Sequence, residues 1–182
     1  LQRHRAGHFA DSEFLTRLDV EFANRYFDAL RLYGDGSDAV PAAWRVLFQR
    51  HNDASLRSLP CAVAGVNAHI NLDLAFALNS TWERLGHAAD GSRQHRDYLI
   101  VNDVFAQEIP GLRRRFLAGW QRCIDRINGG FDDWYQNVLV ECTRGRAWER
   151  AQRLWLLRDD PAAFDRLRSE IDDDAATIGR VL

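Results

Sequence analysis

Four polar side chains inside one apolar segment are the residues of this sequence best suited to chemistry. The segment spans residues 60–78, and it carries Asn67, His69, Asn71 and Asp73. At helical spacing, His69 and Asp73 share one face, whereas Asn67 and Asn71 share roughly the opposite face. A polar group inside an apolar helix costs free energy unless it finds a partner. The pattern therefore predicts a functional site or a polar cluster that fixes the packing of the helix.

The pair formed by His69 and Asp73 supports three interpretations. An imidazole nitrogen and a carboxylate oxygen can bind a divalent metal such as zinc or iron, although a catalytic zinc normally takes three protein ligands. The sequence offers no third ligand at a fixed spacing. Without a metal, Asp73 would orient His69 as a general acid or base near neutral pH. In the third interpretation the two side chains form a buried hydrogen bond that only fixes packing.

Arg144 is the third candidate catalytic residue, and it lies in the longest predicted helix, residues 132–158. Gly145 beside it indicates close packing, because glycine inside a helix costs roughly 1 kcal/mol relative to alanine. An arginine at such a position can clamp a carboxylate or a phosphate through two hydrogen bonds. It can equally pair with Glu141 or Asp73.

Two asparagines of the apolar segment and two polar residues further along the chain are candidate substrate-binding residues. They are Asn67, Asn71, Asp97 and Asn102. The two asparagines can instead satisfy a neighbouring helix end or loop carbonyl. Asp97 and Asn102 lie close to apolar residues of a predicted helix, and simple exposure is the alternative for Asp97.

The elements that must position these residues are all helical. Apolar residues recur at helical spacing, while Gly34-Asp35-Gly36 and Asp159-Asp160-Pro161 separate successive helices. The stretch 79–92 is polar and predicts a long loop or a broken short helix. We expect an all-α, single-domain bundle of about seven helices, residues 12–182, around a buried central helix and after a polar tail, residues 1–11. The predicted helices are 12–33, 41–52, 60–78, 93–108, 110–128, 132–158 and 161–178.

The composition excludes several classes of chemistry. All 24 basic residues are arginine, so no Schiff-base lysine and no phosphate-binding Walker lysine exists. No glycine-rich GxGxxG motif occurs, and no nucleotide cofactor is indicated. The three cysteines are an odd number, are widely spaced and form no CxxC pair, which predicts free thiols in a reducing cytoplasm.

The charge and hydropathy patterns argue against two kinds of partner. The net charge is −2 with signs interspersed, so nothing favours nucleic acid. No apolar signal segment is visible near residue 1. The stretch 58–82 approaches the length of a membrane span, but Asp73 lies near its middle, where a charge costs roughly 2.5–3.5 kcal/mol. We therefore expect a buried helix and no membrane partner.

Several stretches resemble an uncharacterised bacterial and fungal family of helical domains of unknown function, DUF5995. They are LDVEFANRYF at 18–27, VPAAW at 40–44 and above all GVNAHINLDL at 65–74. Asp97…Val101-Asn102 and Arg144…Ala147-Trp148 are also similar to the pattern of the family. The resemblance implies a helical fold with the 65–74 helix as its functional centre, and it carries no activity. It adds weight to a functional role for Asn67, His69, Asp73, Asn102 and Arg144. Families of this kind are often encoded beside biosynthetic genes in GC-rich bacteria, which favours a small-molecule substrate.

Two functions are compatible with these residues. The first is an enzyme that hydrolyses, eliminates from or cyclises a small molecule in a pocket against the 60–78 helix. His69 would be the acid, the base or a metal ligand, Asp73 its orienting residue or second ligand, and Arg144 an anion clamp. The alternative is a non-catalytic helical module that binds a ligand or a partner and whose buried polar cluster is structural. The sequence does not indicate an oligomeric state.

Overall fold

The computed structural model describes residues 9–51, 64–87, 93–101 and 132–181, with the side chains of residues 51 and 132–142 left aside. These residues form six helices and no strand, which confirms the all-α prediction. About seven helices were predicted for the whole chain, and the predicted helix 110–128 lies outside the described residues. The six helices are α1 (Ser12–Gly34), α2 (Ala42–His51), α3 (64–85), α4 (93–101), α5 (Asp132–Leu156) and α6 (Pro161–Val181).

The ends of α1 and α6 follow the signals in the sequence. The carboxylate of Asp11 accepts a hydrogen bond from the backbone N–H of Phe14, 2.9 Å away, and caps the first turn of α1. Gly36 adopts a φ of 67° just after α1, a left-handed conformation that glycine enters without strain. Asp160 caps α6 through the N–H of Ala163 at 3.0 Å, and Pro161 occupies the first turn.

The helix α3 is longer than the sequence predicted, since it continues to Leu85 where a long loop or a broken short helix was expected from residue 79. Two of its polar residues bond within the helix: Asn79 Nδ2 donates to the side chain of Glu83 one turn later, and Thr81 Oγ1 donates to the carbonyl of Ala77 one turn earlier. Trp82 is fully buried, which holds this polar stretch against the core. Gly86, with a φ of 76°, then ends the helix. The burial of Trp82 therefore stabilises the helix through this stretch, although the local sequence is polar.

The middle of α3 is not a regular α-helix. Residues Ala68–Asp73 form a π-helical segment, in which the N–H of Leu74 bonds to the carbonyl of His69, five residues earlier. Such wide turns are rare, and they are frequent at functional sites. The sequence pattern assumed regular α-helical spacing and did not predict this segment. It contains both members of the His69 and Asp73 pair.

The predicted buried central helix is confirmed for most of α3. Its core residues have little or no exposed surface, and its π-helical segment packs against α2 and α6. Trp82 adds an edge-on contact with Trp148 of α5, with ring centroids 5.3 Å apart. Burial is not complete around the helix, because Val66 is 56% exposed. The core residues of α3 are Ala64, Ala68, Leu72, Leu74, Ala75, Phe76, Ala77, Leu78 and Trp82.

The chain divides into two compact units. One consists of Leu1–Leu15 with Ala89–Thr143, and the other of Thr16–Ala88 with Arg144–Leu182. The prediction of a single domain after a polar tail stays a prediction. Within the part of the chain that the structure describes, every helix falls short of the length and apolarity needed to cross a membrane.

Candidate functional site

Asp73 is the centre of the polar cluster in the second unit. Its side chain is almost wholly buried, with 3% of the residue surface exposed. One carboxylate oxygen, Oδ2, lies 3.0 Å from His69 Nδ1 and also 3.0 Å from Trp44 Nε1. Both donors converge on Oδ2. The other oxygen, Oδ1, accepts no hydrogen bond from the residues that the structure describes.

The electrostatic surroundings of Asp73 act in opposite directions. Burial removes water from the carboxylate and raises the pKa of Asp73 above its ordinary value. The hydrogen bond and charge of His69 offset part of this rise, followed by the charge of Arg25 and the hydrogen bond from Trp44. A carboxyl group whose pKa is raised by burial is suited to taking up and releasing a proton.

The ring of His69 is held on three sides. It stacks on Phe22 of α1, with ring centroids 3.6 Å apart and planes 13° from parallel, and the ring of Trp44 approaches with its centroid 5.9 Å away. An ionised carboxylate only accepts hydrogen bonds, so Nδ1 of His69 must donate to Asp73. Nε2 has no hydrogen-bond partner among the described residues, and 29% of the side-chain surface is exposed. The imidazole therefore links the buried carboxylate to solvent.

A cavity of about 340 Å³ lies against α3 in the same unit. Asp73 lines it together with Leu72 and Phe76, while His69 is not among its lining residues. The volume falls in the range of small-molecule pockets, roughly 300–1,000 Å³. Asp73 is therefore the member of the predicted pair that a ligand in the cavity would meet. The remaining lining residues come from α1, α6 and the loop before α2: Arg25, Asp38, Ala39, Val40, Pro41, Asp165, Arg168, Ser169 and Asp172.

Arg25 is a half-buried cation that lines the cavity with Asp73, and it forms no ion pair with the residues that the structure describes. Its Nη2 donates to the carbonyl of Phe76 at 3.1 Å and to Ser80 Oγ at 2.8 Å, and its Nε is buried without a hydrogen bond. Burial lowers the pKa of Arg25, and the charge of Asp73 is the largest effect that opposes this. Arg25 therefore supplies positive charge at the cavity, a role that the sequence suggested for Arg144.

The asparagine pair of α3 has structural partners. Asn71 Nδ2 donates to Asn67 Oδ1 at 2.9 Å, and Asn67 Nδ2 donates to the carbonyl of Ala175 in α6 at 2.8 Å. Arg150 of α5 donates to the backbone carbonyl of Asn71 at 3.2 Å. Neither asparagine lines the cavity. The pair therefore fixes α3 against α6, the alternative that the sequence had left open.

Two other predicted site residues lie away from the cavity lining. Asp97 is buried in the first unit, where its two oxygens accept hydrogen bonds from the backbone N–H groups of Ala10 and Asp11 at 3.0 and 2.6 Å. Arg144 is buried on α5 and does not line the cavity. Asn102 lies outside the described residues.

The described residues supply no close contact at Gly145. A Cβ atom built on it meets none of their atoms within 4 Å, apart from its neighbours in the chain and the backbone of its own helix. Arg144 and Trp148 on the same stretch are nonetheless buried.

The donor set does not fit a metal centre. Within the described ranges, no three His, Cys, Asp or Glu side chains lie close enough to hold a metal ion. His69 Nδ1 and Asp73 Oδ2 bond to each other, so these two atoms are not directed at a shared ligand. A catalytic zinc takes three protein ligands. We derive no step through a metal from this pair.

Several residues of the site were not predicted from the sequence. Trp44, Phe22 and Arg25 contact the pair or line the cavity from α1 and α2, and Arg168 lines it from α6. The first three fall within stretches 18–27 and 40–44, which carry the family resemblance, so a signal for them existed. Arg168 has no such signal, since it reaches the cavity only through the packing of α6.

Comparison with known proteins gives one match. The model of a family described as a family of unknown function, DUF5995, matches residues 1–182. This range is longer than the stretches on which the resemblance rests, and it confirms the resemblance. No curated protein sequence and no solved structure matches the chain.

Proposed function

We propose that this chain, which belongs to the family of unknown function DUF5995, is an enzyme that acts on a small molecule by proton transfer at Asp73. One observation carries the proposal: a buried carboxylate lines a cavity of about 340 Å³ while two donors hold one of its oxygens. The other oxygen accepts no hydrogen bond from the described residues. It is therefore available to a ligand in the cavity.

The roles of the pair are exchanged relative to the sequence-based hypothesis. Asp73 lines the cavity, so it is the general base and, once protonated, the general acid. His69 lies outside the lining and acts as a positioning residue, because its Nδ1–H fixes Oδ2 of Asp73. A second proton on Nε2 would place a positive charge beside the carboxylate and favour its ionised form.

Proton transfer by one carboxyl group limits the reaction to a few classes. The carboxylate can take a proton from a carbon, an amine or a bound water, and the resulting acid can return it to a leaving group or a product. Elimination, cyclisation and hydrolysis through an activated water each use such a pair of steps. No covalent intermediate is required, and the absence of lysine excludes the Schiff-base route.

The test is turnover of a defined panel of small esters, lactones, hydroxy acids and amino acids, followed by mass spectrometry. We expect the purified protein to convert at least one compound. Asp73→Asn should lower the rate about a hundredfold or more, the usual contribution of general acid–base catalysis. His69→Gln should lower it less and move the low-pH limb of the rate profile to higher pH, because its loss removes the positive charge that favours the carboxylate.

Asp173→Asn is the matched control, since Asp173 is an exposed carboxylate on α6 that does not line the cavity. This variant should keep the wild-type rate. Conversion of no compound, or equal rates for Asp73→Asn and wild type, would contradict the proposal. A greater loss with His69→Gln than with Asp73→Asn would instead assign the acid–base role to His69.

A non-catalytic ligand-binding module is the second candidate. It is favoured by the structural role of another carboxylate that lines the cavity: the two oxygens of the half-buried Asp172 cap α2 through the N–H groups of Ala42 and Ala43 at 2.7 and 2.9 Å. A module of this kind would bind a ligand in the cavity and convert nothing. The same panel separates the two candidates when binding is measured beside turnover.

We also propose a cytoplasmic location, because the three cysteines are widely spaced and form no CxxC pair, which is typical of free thiols in a reducing compartment. A thiol titration of the denatured protein, purified without reductant, should find three reactive groups. Fewer reactive thiols would indicate a disulfide and an oxidising compartment.

A further inference from the structure

We infer that the cavity beside Asp73 binds a small zwitterion, a molecule that carries both an ammonium group and a carboxylate. This ligand class deepens the proposed function, on which it rests for its choice of site. The binding itself requires no turnover and can be measured separately.

The charges of the lining residues favour a ligand with both signs. Two arginines and four aspartates line the cavity, which gives a mixed surface with an excess of negative charge. Two of the aspartates are already engaged, Asp172 by the start of α2 and Asp73 by His69 and Trp44. The unengaged carboxylates are Asp38 and Asp165, and the cations are Arg25 and Arg168.

Asp165 and Arg168 make the clearest case for two separate subsites. They are spaced i,i+3 on α6, where opposite charges commonly pair. In this structure they form no ion pair with each other, and neither has a hydrogen bond or ion pair with any described residue. Both line the cavity. A carboxylate at Arg168 and an ammonium at Asp165 would satisfy both groups with one molecule.

Arg25 adds an independent reason for an anionic group on the ligand. Its Nε is buried and unpartnered, and its guanidinium has no ion pair within the described residues. A buried donor without an acceptor costs free energy, and a ligand carboxylate that reached Arg25 would accept a hydrogen bond from this Nε. The apolar surface of Leu72, Val40 and Phe76 can contact the carbon chain between the two charged ends.

The test uses three probes of the same length that differ only in end groups: 4-aminobutyrate, 1,4-diaminobutane and succinate. 2-Aminobutyrate is added as a zwitterion with a shorter separation of charges. Calorimetric titration of the wild-type protein should find one of the aminobutyrates binding about tenfold more tightly than the diamine and the diacid, a difference of about 1.4 kcal/mol. Equal or tighter binding of the diamine or the diacid overturns the inference, and so does binding of no probe.

Substitutions at exposed residues test the two subsites without disturbing the core. Arg168→Gln and Asp165→Asn should each weaken zwitterion binding about tenfold. Arg166→Gln and Asp173→Asn, which change exposed residues of α6 away from the cavity, should not weaken it. Equal effects of the cavity variants and their controls would overturn the assignment.

His69→Gln separates this inference from the proposed function. It should keep zwitterion binding, because His69 does not line the cavity. Binding that persists in a protein that converts no compound contradicts only the proposed enzyme. Turnover of compounds that lack one of the two charged groups contradicts only the ligand class.

Discussion

The two polar pairs of α3 have the same spacing and lie on the same helix, yet their surroundings differ. Asn67 and Asn71 bond to each other and then to a backbone carbonyl of α6. His69 and Asp73 bond to each other, and Asp73 also accepts a hydrogen bond from Trp44, but the carboxylate lines a cavity and the imidazole is partly exposed. Spacing therefore predicts that two polar residues meet. What the pair contacts beyond itself decides whether it is structural or available to a ligand.

The largest effect should come from breaking the asparagine pair. Asn67→Ala removes the donor to the carbonyl of Ala175 and the acceptor for Asn71. Two buried polar groups lose their partners, each at about 1–3 kcal/mol, so we expect the free energy of unfolding to fall by about 3 kcal/mol. Urea-induced unfolding at neutral pH measures it.

Asn24→Ala is the control for this change, since Asn24 is an exposed asparagine on α1. It should alter stability by no more than about 0.5 kcal/mol. If Asn67→Ala costs as little as Asn24→Ala, the asparagine pair does not hold α3 against α6. The contrast between the two pairs would then be lost.

The second prediction concerns the charge of Asp73. Because both donors converge on Oδ2, asparagine at this position keeps an acceptor for each of them and removes only the charge. Burial raises the pKa of Asp73 in the folded protein, so this group stabilises the fold at low pH. That contribution is lost as the pH rises through the folded pKa.

The measurement compares His69→Gln with the double variant His69→Gln, Asp73→Asn, so that imidazole titration does not contribute. The carboxylate-containing protein should be most favoured below about pH 4, the ordinary pKa of an aspartate, and should lose stability relative to the asparagine variant as the pH rises from there to neutrality. Chemical unfolding across this range gives the difference. If the carboxylate-containing protein instead gained stability relative to the asparagine variant as the pH rose, its surroundings would favour the ionised form of Asp73.

The sequence predicted much of the fold, because the ends of its helices depend on local chemistry. Asp11, Gly36 and Asp160 act where they stand, as caps and stops. The extension of α3 to Leu85 was missed, since it depends on the burial of Trp82 by another helix. Local composition carries no record of such long-range contacts.

Part of the site was predictable, because it depends on the spacing of residues within one helix. The hydrogen bond between His69 and Asp73 follows from an i,i+4 spacing within one helix. The contributions of Trp44 and Arg168 depend on how α2 and α6 approach α3, which no spacing in the sequence records. The exchange of roles that we propose within the pair likewise rests on the position of the cavity.

The third prediction weakens the support of Asp73 without touching the carboxylate. Trp44→Phe keeps an aromatic ring beside Tyr26 and Phe48 but removes the indole N–H that donates to Oδ2. We expect a loss of about 1–2 kcal/mol at neutral pH, the usual cost of depriving a buried charged acceptor of one donor. Chemical unfolding checks this value.

The loss caused by Trp44→Phe should shrink at low pH, where Asp73 is protonated and needs less donation. A loss that is independent of pH would trace the effect to the smaller ring. The hydrogen bond to Oδ2 would then have little weight in holding Asp73.

The smallest effects come from two glycines in helices. A Cβ on Gly179 of α6 would lie 3.3 Å from Asn67 Nδ2 and 3.5 Å from Val46 Cγ1, whereas a Cβ on Gly145 of α5 meets nothing within 4 Å among the described residues beyond its own helix. Alanine is favoured over glycine in helices by about 1 kcal/mol. Gly145→Ala should therefore stabilise the protein by about 0.5–1 kcal/mol, while Gly179→Ala should gain little, because Asn67 must shift.

A double-mutant cycle connects the glycines to the comparison of the two pairs. In an Asn67→Ala background the crowded amide is gone, so Gly179→Ala should gain more stability than it does in the wild type, with a coupling of about 0.5 kcal/mol or more. Gly145→Ala should behave identically in both backgrounds, since it is remote from Asn67. Absence of coupling at Gly179 would mean that α3 and α6 can adjust to the added methyl group. Close packing against Gly179 would then not hold the asparagine pair in place.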